Sequence, residues 1–120
     1  MHAEKLIDIF YTKYSGMHRL SVKMKLIKGK EAEYKRRHDE IWPELKLLLK
    51  EHGIQDYSIF LDAETGTLFS VLKVENPALL EELPKHPVMK KWWTYMKDLM
   101  LTNADDSPVA EPLVEVFYLE

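Results

Sequence analysis

Polar and apolar residues alternate along "HRLSVKMKLI". Leu20, Val22, Met24 and Leu26 fall on one side; Arg19, Ser21, Lys23 and Lys25 fall on the other. A period of two is that of a strand with one buried face. "KGK" ends it, and from about Lys30 the period changes. Tyr34, His38, Ile41, Leu45, Leu48 and His52 recur at the spacing of one helix face. Gly53 in "EHG" marks the end of that helix, where a left-handed residue follows the last turn. "DYSIFLD" and "TLFSVLKV" are rich in β-branched and aromatic residues and flank "AETG", which predicts a hairpin with Gly66 in the turn. "NPALLEEL" opens a second helical region with Pro77 near its first turn. "HPVMKKWWTYMKDLM" continues it beyond another proline, "NADDSP" reads as a loop, and "LVEVFYL" reads as a closing strand.

This βαββαβ order predicts an α+β, ferredoxin-like domain, with one antiparallel sheet and two helical segments on one face. The other face is not purely polar. Tyr57, Ile59 and Leu61 share one side of the second strand, and Phe60 shares the other with Ser58 and Asp62. On the last strand Val114, Val116 and Tyr118 oppose Leu113, Glu115, Phe117 and Leu119. A sheet apolar on both sides needs a second cover. A second copy of the chain is the simplest one, so a homodimer is expected.

Length and composition narrow the classes. The chain's 120 residues suffice for one compact domain and not comfortably for two. A net charge of -3 gives no electrostatic reason to expect nucleic acid or an anionic membrane as partner. No cysteine is present, which excludes a disulfide scaffold, a thiolate nucleophile and Cys-ligated zinc, and fits a cytoplasmic protein. No stretch approaches the roughly 20 apolar residues of a membrane span. The opening "MHAEKLIDIFYTKYSG" is not expected to be a signal peptide. Its apolar run, Leu6 to Tyr11, is broken by Asp8 and falls short of the roughly 7–15 residues such a signal needs. That opening is given no catalytic weight.

The candidate chemistry lies in "EYKRRHDEIWPEL". The helical stripe places a phenol, Tyr34, and an imidazole, His38, where leucines would be expected, one turn apart and able to meet around one small ligand. Pro43 lacks an N–H and its ring crowds the carbonyl of Asp39, while Trp42 before it is pushed out of helical geometry. The helix is therefore expected to break beside His38 and restart with Pro43 in its first turn, which would open a pocket there. The second constellation is "KKWWTYMKDLM". Trp92 and Trp93 point about 100° apart on a helix. Val88, Trp92, Tyr95 and Leu99 form one stripe; Met89, Trp93, Met96 and Met100 form another. One tryptophan is expected in the core, and the pair also suits an aromatic wall for the apolar face of a sugar or a planar ligand. Among the histidines, at 2, 18, 38, 52 and 86, no metal-binding spacing occurs. There is no phosphate loop, dinucleotide fingerprint or nucleophile elbow. Asp105, Asp106 and Ser107 lie in a loop able to border a site, but are read first as solvated turn chemistry.

"YKRRHDEIWPEL", "YSIFLD", "KKWWTYM", "NADDSPV" and "EVFYL" together resemble the L-rhamnose mutarotases, in order and spacing, from about Met17 to the C-terminus. The resemblance implies that residues 17–120 are the single domain and that residues 1–16, which it leaves out, are an N-terminal extension. The resemblance implies a dimeric α/β barrel of ferredoxin-like subunits, without metal or organic cofactor. It implies an isomerase that interconverts the α and β anomers of L-rhamnopyranose in rhamnose metabolism. By motif position it implies that His38 is the proton donor, and that Tyr34, Tyr57, Trp92 and Trp93 bind the sugar. The partner base is left open between Tyr34, a backbone carbonyl near Pro43, and water. The same fold also hosts monooxygenases acting on aromatic or haem substrates, and ligand-sensing modules without catalysis. An absorbance scan separates the first from a mutarotase. Sugar binding without anomer exchange identifies the second.

Overall fold

In the computed structural model, which describes residues 17–120, the alternating segment forms strand β1 (His18–Lys25). Helices α1 (Glu31–Asp39) and α2 (Pro43–Glu51) follow, then strands β2 (Ile54–Asp62) and β3 (Thr67–Val74). A 3₁₀ segment, Pro77–Lys85, leads into helix α3 (Pro87–Met96), a short 3₁₀ turn, Lys97–Leu99, and strand β4 (Glu111–Pro112). The sheet has the order β2-β3-β1-β4 with every neighbouring pair antiparallel. This is an α+β domain. The expected extension, residues 1–16, lies outside the described residues. Among those described, no helix is long and apolar enough to cross a membrane.

The β1–β3 register fixes which side chains face the helices. Leu20 pairs with Leu72, Val22 with Ser70 and Met24 with Leu68, so these residues share one face. The core lies between that face and the helices, and holds Leu26, Tyr34, Leu45, Leu48, Ile54, Leu68, Trp92, Met96 and Leu99. Leu45, Leu68, Leu99 and Val74 are fully buried. Gly66 closes the β2–β3 hairpin at φ +76°, where a Cβ would lie 3.2 Å from the Leu26 carbonyl oxygen. Glycine permits that close backbone approach and that backbone sign.

The break in the first helical run falls at the residues that the proline dictates. Ile41 N–H donates to the His38 carbonyl at 3.2 Å, a tightened last turn. Trp42 is extended, at φ -60° and ψ 133°, and Pro43 opens α2. The Trp42 carbonyl accepts from both Leu45 and Lys46 N–H at 3.0 Å.

Two features depart from the sequence pattern. Strand β2 begins at Ile54 and carries a bulge, because Gln55 pairs with Lys73 but Ser58 pairs with Val71. Asp56 takes φ +49° within it. In a regular strand Ile54 and Tyr57 would face opposite ways. The extra residue turns Tyr57, Ile59 and Leu61 to the side on which Ile54 is buried.

The second departure is the closing strand. "LVEVFYL" is not a strand here. Only Glu111 and Pro112 pair with β1, and the last ladder-like bond runs from Leu113 N–H to the Ser21 carbonyl at 2.9 Å. Proline gives no donor to the ladder, and among the described residues no further strand lies beyond β4 to hold the segment flat. Arg19 holds the tail loosely, through Glu115 at 2.7 Å and by lying 3.3 Å over the Tyr118 ring. Val114, Val116, Phe117 and Leu119 stand out in solvent.

Candidate active site

The site is built where α1 lies beside α3 above the sheet. Tyr34 and His38, one turn apart on α1, bring their rings to 4.4 Å between centroids. Tyr34 is buried and His38 half-buried. The Nδ1 of His38 lies 3.0 Å from the Tyr34 carbonyl oxygen. A carbonyl only accepts, so Nδ1 carries the proton and Nε2 is the nitrogen left for exchange with a ligand. Burial pushes the His38 pKa below its ordinary value, and the Tyr34 carbonyl and Asp39 oppose that shift without reversing it. Burial likewise pushes the Tyr34 hydroxyl up, with Tyr57 adding to the effect, and pushes Tyr57 up. Both phenols are thus neutral hydrogen-bonding groups near neutrality.

The two stripes of α3 divide the work. In the first, Trp92 and Leu99 are buried in the core. Trp92 stands edge to face with His38, and again with Trp42 at 5.1 Å and 87°. In the second, Met89, Trp93, Met96 and Met100 all border one cleft. Trp42, swung out by the proline break, stacks against Tyr95 at 5.4 Å and backs Trp92 from behind. Arg37 locks the two helices together. It donates to both carboxylate oxygens of Asp98, at 2.9 and 3.2 Å, and to the Tyr95 carbonyl at 2.6 Å.

The cleft has a volume of about 420 Å³, counting the part open to solvent. Its walls bring together all five residues singled out from the sequence: Tyr34, His38, Tyr57, Trp92 and Trp93. Tyr57 enters from β2 by way of the bulge. The other lining residues are Met24, Met89, Met96, Met100, Asp106 and Pro108. Sequence reasoning placed Met24 and the methionines on inward faces without assigning them to a site. It took Asp106 for turn chemistry, and no spacing set that aspartate apart from Asp105. His52, on the same stripe as His38, instead holds the Leu48 carbonyl at 2.9 Å at the end of α2 and lies near His86. Among the described residues no three histidine, aspartate or glutamate side chains gather as a metal site. An imidazole with one free nitrogen, two neutral phenols and an indole wall can bind an uncharged polyhydroxylated ring and pass protons to and from it.

The family model for L-rhamnose mutarotase matches residues 19–119. An L-rhamnose mutarotase of Agrobacterium fabrum is 60% identical over 97 residues, which are 81% of this chain and 91% of that protein. One from Formosa agariphila is 53% identical over 104 residues, 87% of this chain and all of that protein. The crystal structure of an L-rhamnose mutarotase from Formosa agariphila superposes with a TM-score of 0.80 at 52% identity, covering 86% of this chain and 99% of that one. With the family model matching residues 19–119 and relatives 53–60% identical over more than four fifths of the chain, the chain belongs to the L-rhamnose mutarotase family.

Proposed function

We propose that the protein interconverts the α and β anomers of L-rhamnopyranose by acid–base ring opening and reclosure. The observation that carries this is the imidazole of His38, fixed through Nδ1 on the Tyr34 carbonyl and set in an aromatic cleft. Family membership and the names of the relatives support the substrate.

His38 acts as the acid. In its imidazolium form, with Nδ1–H kept on the Tyr34 carbonyl, its Nε2–H gives a proton to the ring oxygen as the bond from that oxygen to the anomeric carbon breaks. The anomeric hydroxyl loses its proton to an acceptor, and the open-chain aldehyde forms. Rotation about the next carbon–carbon bond presents the other face, and the same steps reversed close the ring. No carbon changes oxidation state, so proton transfer suffices for the reaction. Assistance of this kind is worth about 10²–10⁴ in rate. Tyr34 and Tyr57 hold hydroxyls, and Trp92 and Trp93 cover the apolar face of the sugar. A 6-deoxy sugar carries a methyl group that an aromatic wall accommodates well.

The strand order and its antiparallel neighbours support a ferredoxin-like topology. A homodimer is supported by two uncovered apolar surfaces. On the face away from the helices Phe60 is 63% exposed, beside Phe69 and Val71. In the tail Val116 is 93% exposed. A second copy that covers both forms a dimeric α/β barrel. The partner is thus a small sugar and a second copy, with neither nucleic acid nor membrane involved, and the activity fits a cytoplasmic place in rhamnose metabolism. Residues 17–120 form the mutarotase domain and residues 1–16 an extension that it does not need.

The test is exchange NMR between the two anomeric protons of L-rhamnose, with catalytic amounts of the full chain and of a chain beginning at Met17. Both should speed exchange. No acceleration by the full chain would overturn the mutarotase reading, and activity lost only without residues 1–16 would overturn the domain boundary.

A further inference from the structure

The indoles and thioethers of the cleft grip an apolar face without fixing how the sugar is turned, and beside His38 and the two phenols Asp106 is a further polar side chain in the wall. Among the described residues it is the one negatively charged side chain that borders the cleft. Its neighbour in the sequence has a different task. Asp105 turns back on its own loop, accepting from the Ser107 N–H at 3.0 Å and from the Ser107 hydroxyl. Asn103 closes the same loop, its N–H donating to the Ser107 carbonyl at 2.7 Å and its amide to the Ser107 hydroxyl at 3.0 Å.

Asp106 then takes φ +69°, a left-handed conformation that aspartate adopts more readily than most residues. That turn sends its side chain away from Asp105 and toward α3. Thr94 donates its hydroxyl to Oδ2 at 2.9 Å, and Lys97 Nζ lies 3.7 Å from the same oxygen. Among the described residues, both of its partners fall on Oδ2. Oδ1 retains its acceptor capacity, and the side chain is 29% exposed, so it is held in place yet open to a ligand.

We infer that Asp106 is a substrate-binding and specificity-determining residue, whose carboxylate accepts a hydrogen bond from a hydroxyl of the sugar in the cleft. This rests on the mutarotase reading of the same site. A carboxylate accepts from a hydroxyl more strongly and at shorter range than a neutral oxygen does. It supplies the directional contact that an indole wall lacks. The loop and Thr94 preset its position, so little ordering accompanies binding.

The experiment measures anomer exchange against L-rhamnose concentration by NMR, for wild type, Asp106→Ala, Asp106→Asn and Thr94→Val, with folding followed by circular dichroism. Asp106→Ala should raise KM about 10–100-fold, the size of a lost hydrogen bond to a charged group, with a smaller change in kcat. Asp106→Asn keeps an acceptor oxygen and should recover part of the loss. Thr94→Val leaves the loop bonds intact but frees Oδ2, and should raise KM less than Asp106→Ala. An unchanged KM in a folded Asp106→Ala overturns the inference. So does a fall in kcat alone, which would mark a proton acceptor rather than a hydroxyl anchor. Should Asp106→Ala fail to fold, a folded Asp106→Asn and Thr94→Val that both keep the wild-type KM overturn it equally. A wild type that exchanges no anomers at all would instead remove the mutarotase reading.

Discussion

The imidazole of His38 stands edge to face against the indole of Trp92, ring centres 5.4 Å apart and planes at 90°. Trp92 is itself 6% exposed and clamped by Trp42 and Tyr95. Its neighbour Trp93 is only partly buried at the cleft. The two tryptophans should therefore respond differently to replacement. Trp92→Phe should lower the melting temperature and disturb His38, since buried ring area and an aromatic pair are lost. Trp93→Phe should melt near the wild-type temperature and bind L-rhamnose more weakly, with a smaller sugar-induced change in tryptophan fluorescence. Equal loss of stability in both would reduce the wall to core packing.

Burial makes His38 harder to protonate in the folded chain than in the unfolded one. Below the unfolded value of about 6.5, the unfolded state then binds more protons, so this group's stability contribution is lost as pH falls. It is fully present above that value and gone once pH has passed through the lower folded pKa. Melting temperatures followed from about pH 7.5 to about pH 5 should fall across that window. His38→Gln should flatten part of the slope; an unchanged slope would place the proton linkage elsewhere.

The first helical run was legible because its causes are local. Proline forbids a continuous helix at position 43 whatever surrounds it, and Tyr34 and His38 follow from spacing alone. The α3 stripes could be listed, but which would face the core and which the cleft depended on where α1 and the sheet lie. The bulge at Asp56 was not legible, because the period from Tyr57 to Leu61 is the same with or without it; it shows only against Ile54 and the partner strand. Asp106 could not be singled out from its loop, because Asp105 and Asp106 are equivalent in composition and are told apart by a backbone sign. The tail was misread because alternation promises a strand only where another strand or surface is present to receive it.

Asp56 holds its left-handed conformation, φ +49°, with its carboxylate 3.4 Å from Lys73 Nζ on the surface. An exposed pair of that kind contributes little, so the backbone sign is the main requirement at this position. Asp56→Gly should leave the melting temperature near the wild-type value. Asp56→Val should lower stability by about 1–2 kcal/mol, the cost of a branched residue in that region. Sugar affinity should fall with it if the strain is relieved by realigning Tyr57. Equal stability of the Gly and Val variants would mean that the bulge is not held as described.

The tail from Leu113 onward leaves large apolar side chains in water. That arrangement is unfavourable unless a second copy covers it. A chain ending at Pro112 should keep its sheet and helices by circular dichroism, yet pass from dimer to monomer in light scattering at micromolar concentration. Persistence of the dimer would move the interface to the Phe60 face alone, and a monomeric full-length chain would remove the dimer altogether.

Replacing His38 tests the mechanism most directly. Its side chain is half-buried, bonded among the described residues through Nδ1 within its own helix, and flanked by Tyr34 and Trp92, which belong to the core. His38→Ala should therefore fold and retain most of its sugar affinity, because the phenols and indoles persist. Anomer exchange should slow by about 10²–10⁴, the range expected when a general acid is lost. His38→Gln should slow it as much: a side-chain amide can occupy the space and hydrogen-bond, but it does not titrate. Saturation transfer between the α and β anomeric protons measures the rate, and tryptophan fluorescence measures binding in the same samples. A folded His38→Ala that exchanges anomers at the wild-type rate would take the proton transfer away from His38 and leave Tyr34, Tyr57 or Asp106 to carry it.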